Sequence, residues 1–228
     1  MSNEDLRKPV ALYVFAKAPI AGRVKTRLAK TVGNQLALTI QQVMLELIVK
    51  RLSTLPYEVY ISADQQHPFF DRLTQRYSVG FHQQCEGDLG VKMLDALVTG
   101  LLNHRKVMII GGDVPAFDRI KVQAMLSSLD RHEVALTPAE DGGYVAIACR
   151  SVHAEMFDEI KWGQTQVLKQ QVASLTSQQL SYQCLDSLWD VDEEEDLKRC
   201  FEDDYINSMF EATGIHLSDL FALPNDDG

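Results

Sequence analysis

The chain has 228 residues, 46% of them hydrophobic and 24% charged, which is enough apolar side chain to bury one sizeable core without covalent or metal staples. A formal net charge of −10 argues against general nucleic-acid binding, because phosphate backbones are held by accumulated Lys and Arg. No apolar run approaches the ~20 residues needed to cross a bilayer and the start lacks an apolar targeting core, so a cytoplasmic chain with no membrane partner is expected.

VALYVFA at 10–16 reads as a buried first strand, after which Pro19 and Gly22 interrupt regular structure. The basic stretch AKAPIAGRVKTRLA therefore begins as a loop at that strand's C-terminal end. Leu36, Ile40, Val43, Leu47 and Leu52 follow helical spacing over 32–52. YEVYIS at 57–62 predicts a strand, followed by a helix near 67–73, an apolar piece at 78–81, and a turn at Gly87–Gly90 that opens a helix over 91–102.

KVMII at 106–110 has the composition of a buried central strand and ends in GGDVPAF. A helix is expected over 119–129, strands over 133–137 and 144–149, helices near 153–159 and 164–175, a strand around 179–185, and an acidic helix from about 193. Strands alternating with helices predict a three-layer α/β/α sandwich with a mostly parallel central sheet. One domain over 1–228 is expected, with 220–228 as a frayed tail.

Charge is distributed unevenly: residues 1–30 hold seven Lys or Arg against two acids, and residues 190–228 hold thirteen acids against two bases. Ligands of open parallel sheets bind beyond the C-terminal strand ends, where both the basic loop and GGDVPAF fall. Gly22 allows a tight backbone path, while Arg23, Lys25 and Arg27 can neutralise a polyphosphate. A solvated basic turn is the other reading, and GxxxxGK[ST] is absent.

Asp113, after Gly111 and Gly112, suits Mg²⁺ held against phosphate oxygens, or else a cap for the next helix. In TPAEDGGYVAIAC, Glu140 or Asp141 could orient a polar substrate beside two glycines, or the segment is simply a hairpin turn. LWDVDEEEDL supplies Asp190 and Asp192 ahead of acids that favour a helix start, and either aspartate could reach Asp113 to clamp one metal. The six histidines are scattered, and the four cysteines lack CxxC or zinc-module spacing, as expected of reduced structural thiols.

FAKAPIAGRVKTRLA, EGDLGVKMLDAL, IIGGDVPAF, LTPAEDGGYVAIAC, WGQTQVL and LWDVDEEEDL resemble, in family order over roughly 10–200, a bacterial family described as radical-SAM and selenodomain associated glycosyltransferases. That resemblance implies a glycosyltransferase-A-like, nucleotide-diphospho-sugar transferase fold. It places Arg23 and Lys25 at phosphates, with Ala16, Lys17, Gly22, Arg27 and Gly112 around them. Asp113 and Asp192 would hold Mg²⁺ or Mn²⁺, Asp88 and Lys92 would approach the nucleotide, and Asp141, Gly142, Gly143, Tyr144 and Trp162 would face the acceptor. Two departures bear on substrate choice: Trp162-Gly163-Gln164 stands where the family has Trp-Ser-Thr, and Lys92 where it has Arg.

The activity expected is metal-dependent nucleotidyl transfer from a nucleoside triphosphate to a small phosphorylated or hydroxyl acceptor, with Arg23, Lys25 and Asp113 as catalytic residues. The alternatives are glycosyl transfer from a nucleotide-diphospho-sugar and non-catalytic nucleotide binding.

Overall fold

The computed structural model describes residues 6–216, so the tail expected at 220–228 lies outside the described residues. Strands β1 (Lys8–Ala16), β2 (Glu58–Ala63), β3 (Gly80–Gln83), β4 (His104–Gly111), β5 (Val134–Pro138), β6 (Tyr144–Cys149) and β7 (Tyr182–Cys184) form one sheet in the order β3-β2-β1-β4-β6-β5-β7. Neighbours run parallel except at β6, which is antiparallel to both β4 and β5. Helices are α1 (Ala29–Val32), α2 (Asn34–Ser53), α3 (Pro68–Tyr77), α4 (Leu89–Asn103), α5 (Arg119–Ser128), α6 (Val167–Ser177), α7 (Glu194–Phe201) and α8 (Asp204–Glu211).

Alternation along the central strands builds the two faces. Val10, Leu12 and Val14 of β1 join Met108 and Ile110 of β4 in a core covered by α2, α3 and α5. The intervening Ala11 and Tyr13, with Val107 and Ile109, point into a second core under α4 and α6. Because each central strand is buried on both sides, VALYVFA and KVMII are apolar runs rather than alternating ones. A third cluster joins Ile40, Met44 and Leu47 of α2 to Leu197 of α7 and Phe210 of α8.

Several boundaries differ from expectation for local reasons. The helix expected over 32–52 is divided at Gly33, whose φ of 82° ends α1 before α2 begins. The segment expected to be helical near 153–159 forms only a short 3₁₀ turn, Ala154–Phe157, and α6 starts at Val167. The strand expected around 179–185 shortens to the three residues of β7. Among the described residues no helix is long and apolar enough to cross a membrane, and all four cysteines are free.

The strand order reverses direction between β1 and β4, which pair in parallel with Phe15 opposite Gly111. Their C-terminal ends therefore open a crevice at a topological switch point, where doubly wound sheets bind ligands.

Candidate active site

Three segments converge on this crevice. The basic loop leaves β1, and its entry is fixed by Asp64, whose Oδ1 accepts from the Ala18 N–H at 2.7 Å. Leaving β4, the Gly112 N–H donates to the Phe15 carbonyl at 2.9 Å. A Cβ on Gly112 would lie 2.9 Å from that same carbonyl oxygen and 3.0 Å from Leu45 Cδ1, so the close approach requires glycine. Beyond it, the Arg51 guanidinium holds the Pro115 carbonyl.

The third segment carries the DVD run. Leu188 N–H donates to Pro138 O at 2.9 Å and Val191 N–H to Asp113 O at 3.0 Å, laying 188–192 across the ends of β5 and β4. Asp196 Oδ2 accepts from the amides of Asp192 and Glu193, both at 2.9 Å, and this starts α7. The acidic block thus serves both expected purposes through different residues: Glu194, Glu195 and Asp196 form the first turn of α7, while Asp192 turns toward Asp113.

Lys25 occupies the centre. Its Nζ donates to Asp113 Oδ2 at 2.6 Å and Asp192 Oδ1 at 3.3 Å, and its side chain is 6% exposed. Burial alone would lower the Lys25 pKa, but the charge and hydrogen bond of Asp113, reinforced by Asp192 and Asp190, hold it above the ordinary lysine value. Lys25 also adopts φ 45°, a left-handed backbone conformation that is rare for a side chain of this size and is found where surrounding structure over-determines it. Asp190 is pushed up to about 6, first by burial and then by the neighbouring charge of Asp113, with Lys25 opposing the shift.

Two lobes meet at this centre. The larger, about 670 Å³, is lined by Ala16, Lys17, Arg23, Lys25, Arg27, Lys92, Gly112, Asp113 and Asp192, together with Gln41, Asp64 and Gln84. The smaller, about 330 Å³, is lined by Asp141, Gly143, Tyr144 and Trp162, together with Asp190, Met93 and Gln164. Phe15, Arg27, Leu89, Asp113 and Asp192 line both.

Other expected residues take different places. Asp88 caps α4, accepting from the Val91 N–H at 3.0 Å, and lines neither lobe. Gly22 shapes the loop with φ 78° from outside both linings. Gly142, with φ 93°, is a packing residue: a Cβ there would sit 2.1 Å from the Thr165 carbonyl oxygen. EDGG is the turn of the β5–β6 hairpin, with Ala139 N–H bonded to Gly143 O at 2.9 Å. Glu140 is committed to a two-pronged ion pair with Arg199 at 2.8 and 3.0 Å, and Arg199 lies 4.5 Å above the Trp189 ring. The alternative cap role for Asp113 falls to Asp118, which accepts from Lys121 N–H at 2.9 Å to start α5.

Sequence reasoning missed Gln171. This fully buried amide accepts from the Tyr144 hydroxyl at 3.0 Å and donates to the Met156 carbonyl at 2.8 Å. Burial raises the Tyr144 hydroxyl well above its ordinary pKa, so it stays neutral and presents its ring to the smaller lobe.

Among the described residues no group of three or more His, Cys, Asp or Glu could by itself hold a metal ion. Asp113 and Asp192 nevertheless share one cation, Lys25 Nζ, and two carboxylates suit Mg²⁺, which takes its remaining ligands from phosphate and water. The pair therefore fits a metal that arrives with a phosphorylated ligand.

No curated protein matches the chain. Among solved structures, it is similar to a protein from Desulfovibrio desulfuricans G20 described as a "putative nucleotide-diphospho-sugar transferase", at 25% identity and TM-score 0.82, covering 93% of this chain and 98% of that one. A CMP:2-keto-3-deoxy-manno-octonic acid synthetase complexed with CTP superposes at TM-score 0.54 and 10% identity, covering 84% and 96%. The 4-diphosphocytidyl-2C-methyl-D-erythritol synthase of Anaerococcus prevotii DSM 20548 does so at TM-score 0.55 and 9% identity, covering 83% and 94%. The fold is that of the nucleotide-diphospho-sugar transferases. The family described as an uncharacterized protein conserved in bacteria (DUF2064) matches residues 46–164, more than half of the sequence, and the chain belongs to it.

Proposed function

We propose that the chain is a metal-dependent nucleotidyltransferase that moves a nucleoside monophosphate from a nucleoside triphosphate to a small acceptor. The observation that carries this reading is Lys25 Nζ held by Asp113 and Asp192 where the cationic lobe meets the second lobe. Asp113 and Asp192 would hold Mg²⁺ or Mn²⁺, which neutralises charge on phosphate oxygens when bound.

Lys17, Arg23 and Arg27, together with Lys92, bind and orient the polyphosphate in the larger lobe. The acceptor oxygen, approaching from the smaller lobe, bonds to the α-phosphorus as the bond to the bridging oxygen of the diphosphate breaks. Pyrophosphate leaves with its negative charge, which Lys25 and Arg23 stabilise as it develops. A hydroxyl acceptor releases its proton to water.

A second reading, glycosyl transfer from a nucleotide-diphospho-sugar, is favoured by the Tyr144 and Trp162 walls of the smaller lobe and by the description of the 25%-identical relative. Membership of the radical-SAM and selenodomain associated subgroup is part of the same proposal and rests on the sequence motifs.

Product analysis separates the readings. With Mg²⁺ or Mn²⁺ and panels of both donor classes, pyrophosphate release supports nucleotidyl transfer and nucleoside diphosphate release supports glycosyl transfer. Nucleotide binding with neither product would leave a non-catalytic binding protein.

A further inference from the structure

The two lobes are electrically unlike. The larger is lined by five cationic residues, Lys17, Arg23, Lys25, Arg27 and Lys92, against three aspartates. The smaller is lined by four aspartates, Asp113, Asp141, Asp190 and Asp192, and by no cation except Arg27.

Arg27 is already engaged, 3.3 Å from Asp192 and 4.0 Å from Glu193. Lys25 compensates Asp113 and Asp192. Asp141 and Asp190 form no ion pair within 4.0 Å among the described residues: Lys25 acts on Asp190 only at longer range, and Asp141 Oδ1 accepts a backbone amide, that of Gly143, at 2.9 Å. A phosphate or carboxylate entering this lobe would meet the charges of Asp141 and Asp190, which neither an ion pair nor the proposed metal site offsets directly, and no free side-chain cation.

The remaining wall is aromatic and fixed. Tyr144 and Trp162 meet edge to face with centroids 6.3 Å apart, Phe157 backs Trp162 at 6.4 Å, and Gln171 pins the Tyr144 hydroxyl. Rigid aromatic faces cover the apolar faces of a ring, and carboxylates accept hydrogen bonds from hydroxyls.

We propose that the smaller lobe binds a hydroxyl-rich, sugar-like group carrying no negative charge, and that a phosphorylated acceptor is excluded from it. This narrows the acceptor class of the proposed transferase and rests on that reading for the role of the lobe, but not for its binding preference.

The test uses Trp162 as the reporter in a Trp189→Phe protein, where it is the sole tryptophan. Its emission is titrated with matched sets of a neutral hexose, its amino sugar and its 6-phosphate, and with glycerol against glycerol phosphate. The expected result is a response to neutral or amino members at concentrations at least about tenfold below those needed for phosphorylated ones. Combining Asp141→Asn with Asp190→Asn narrows that gap. Equal or tighter binding of the phosphorylated members at Trp162, or no response to any member, overturns the proposal. Calorimetric titration of the same protein with nucleoside triphosphates reads the larger lobe separately, so failure there would sink the nucleotidyltransferase reading while leaving the sugar preference measured.

Discussion

Lys25 and Asp113 form a 2.6 Å ion pair across the C-terminal ends of β1 and β4, with the lysine side chain almost wholly enclosed. The lysine stands against the carboxylates proposed to bind metal, and this gives a prediction that does not depend on turnover. In Lys25→Met the two aspartates lose their shared cation. Mn²⁺ should then raise the melting temperature of the variant more than that of the wild type, as differential scanning fluorimetry would show. Turnover should fall about 10²–10³-fold, the usual loss when one charge-stabilising donor is removed. An unchanged response to Mn²⁺ would mean that the carboxylates do not act as a metal pair.

Gly112→Ala tests the close approach that sets Asp113. The added methyl meets the Phe15 carbonyl and Leu45, so overpacking should cost about 1–3 kcal/mol in urea denaturation. Gly163→Ala is a useful contrast: nothing lies within 4 Å of where the added Cβ would sit, and only the φ of 76° opposes the change.

A pH prediction concerns the opposite end of the sheet. The Lys8 ammonium, with the Tyr60 hydroxyl and the His104 imidazole, lowers the Glu58 carboxyl to about 2, against an opposing effect of burial. A depressed carboxylate pKa adds stability that is complete above the unfolded value, 4.5, and is lost as pH falls from about 4.5 to about 2. Melting temperatures of Glu58→Gln and wild type should therefore diverge above that window and converge at its acid end. A gap that stays constant from pH 2 to pH 6 would contradict the assignment.

Arg199 ties α7 to the hairpin turn through Glu140, and Lys is a poor replacement because it lacks the paired donors. Both partners are substantially exposed, so Arg199→Lys should cost only about 0.2–1 kcal/mol in global stability. The hairpin amides at 139–143 should exchange hydrogen faster, with KM for the acceptor rising more than kcat falls. Unchanged exchange there would show that the turn is held by its backbone bonds alone.

Much of this fold was legible because burial on both faces leaves apolar runs: β1 and β4 stand close to where VALYVFA and KVMII put them, and β2 lies where the β-rich YEVYIS put it. The EDGG turn chemistry also announced a hairpin. Nothing local, however, says that β6 inserts antiparallel between β4 and β5, since partner choice depends on the whole sheet. At the site, residue types and strand-end positions pointed to Lys25 and Asp113, the family resemblance chose Asp192 over Asp190, and the three side chains meet. The Asp88 cap was visible in principle, three residues before the Val91 amide it accepts from. The Glu140–Arg199 pair was not, because its members lie 59 residues apart.

The most direct measurement is calorimetric titration of nucleoside triphosphates and nucleotide-diphospho-sugars into wild type, Lys25→Ala and Asp113→Ala, with Mg²⁺ or Mn²⁺ and with excess chelator. The account predicts metal-dependent binding to the wild type that both substitutions weaken. Robust binding that neither substitution nor chelator affects would contradict it and place the nucleotide elsewhere on the protein.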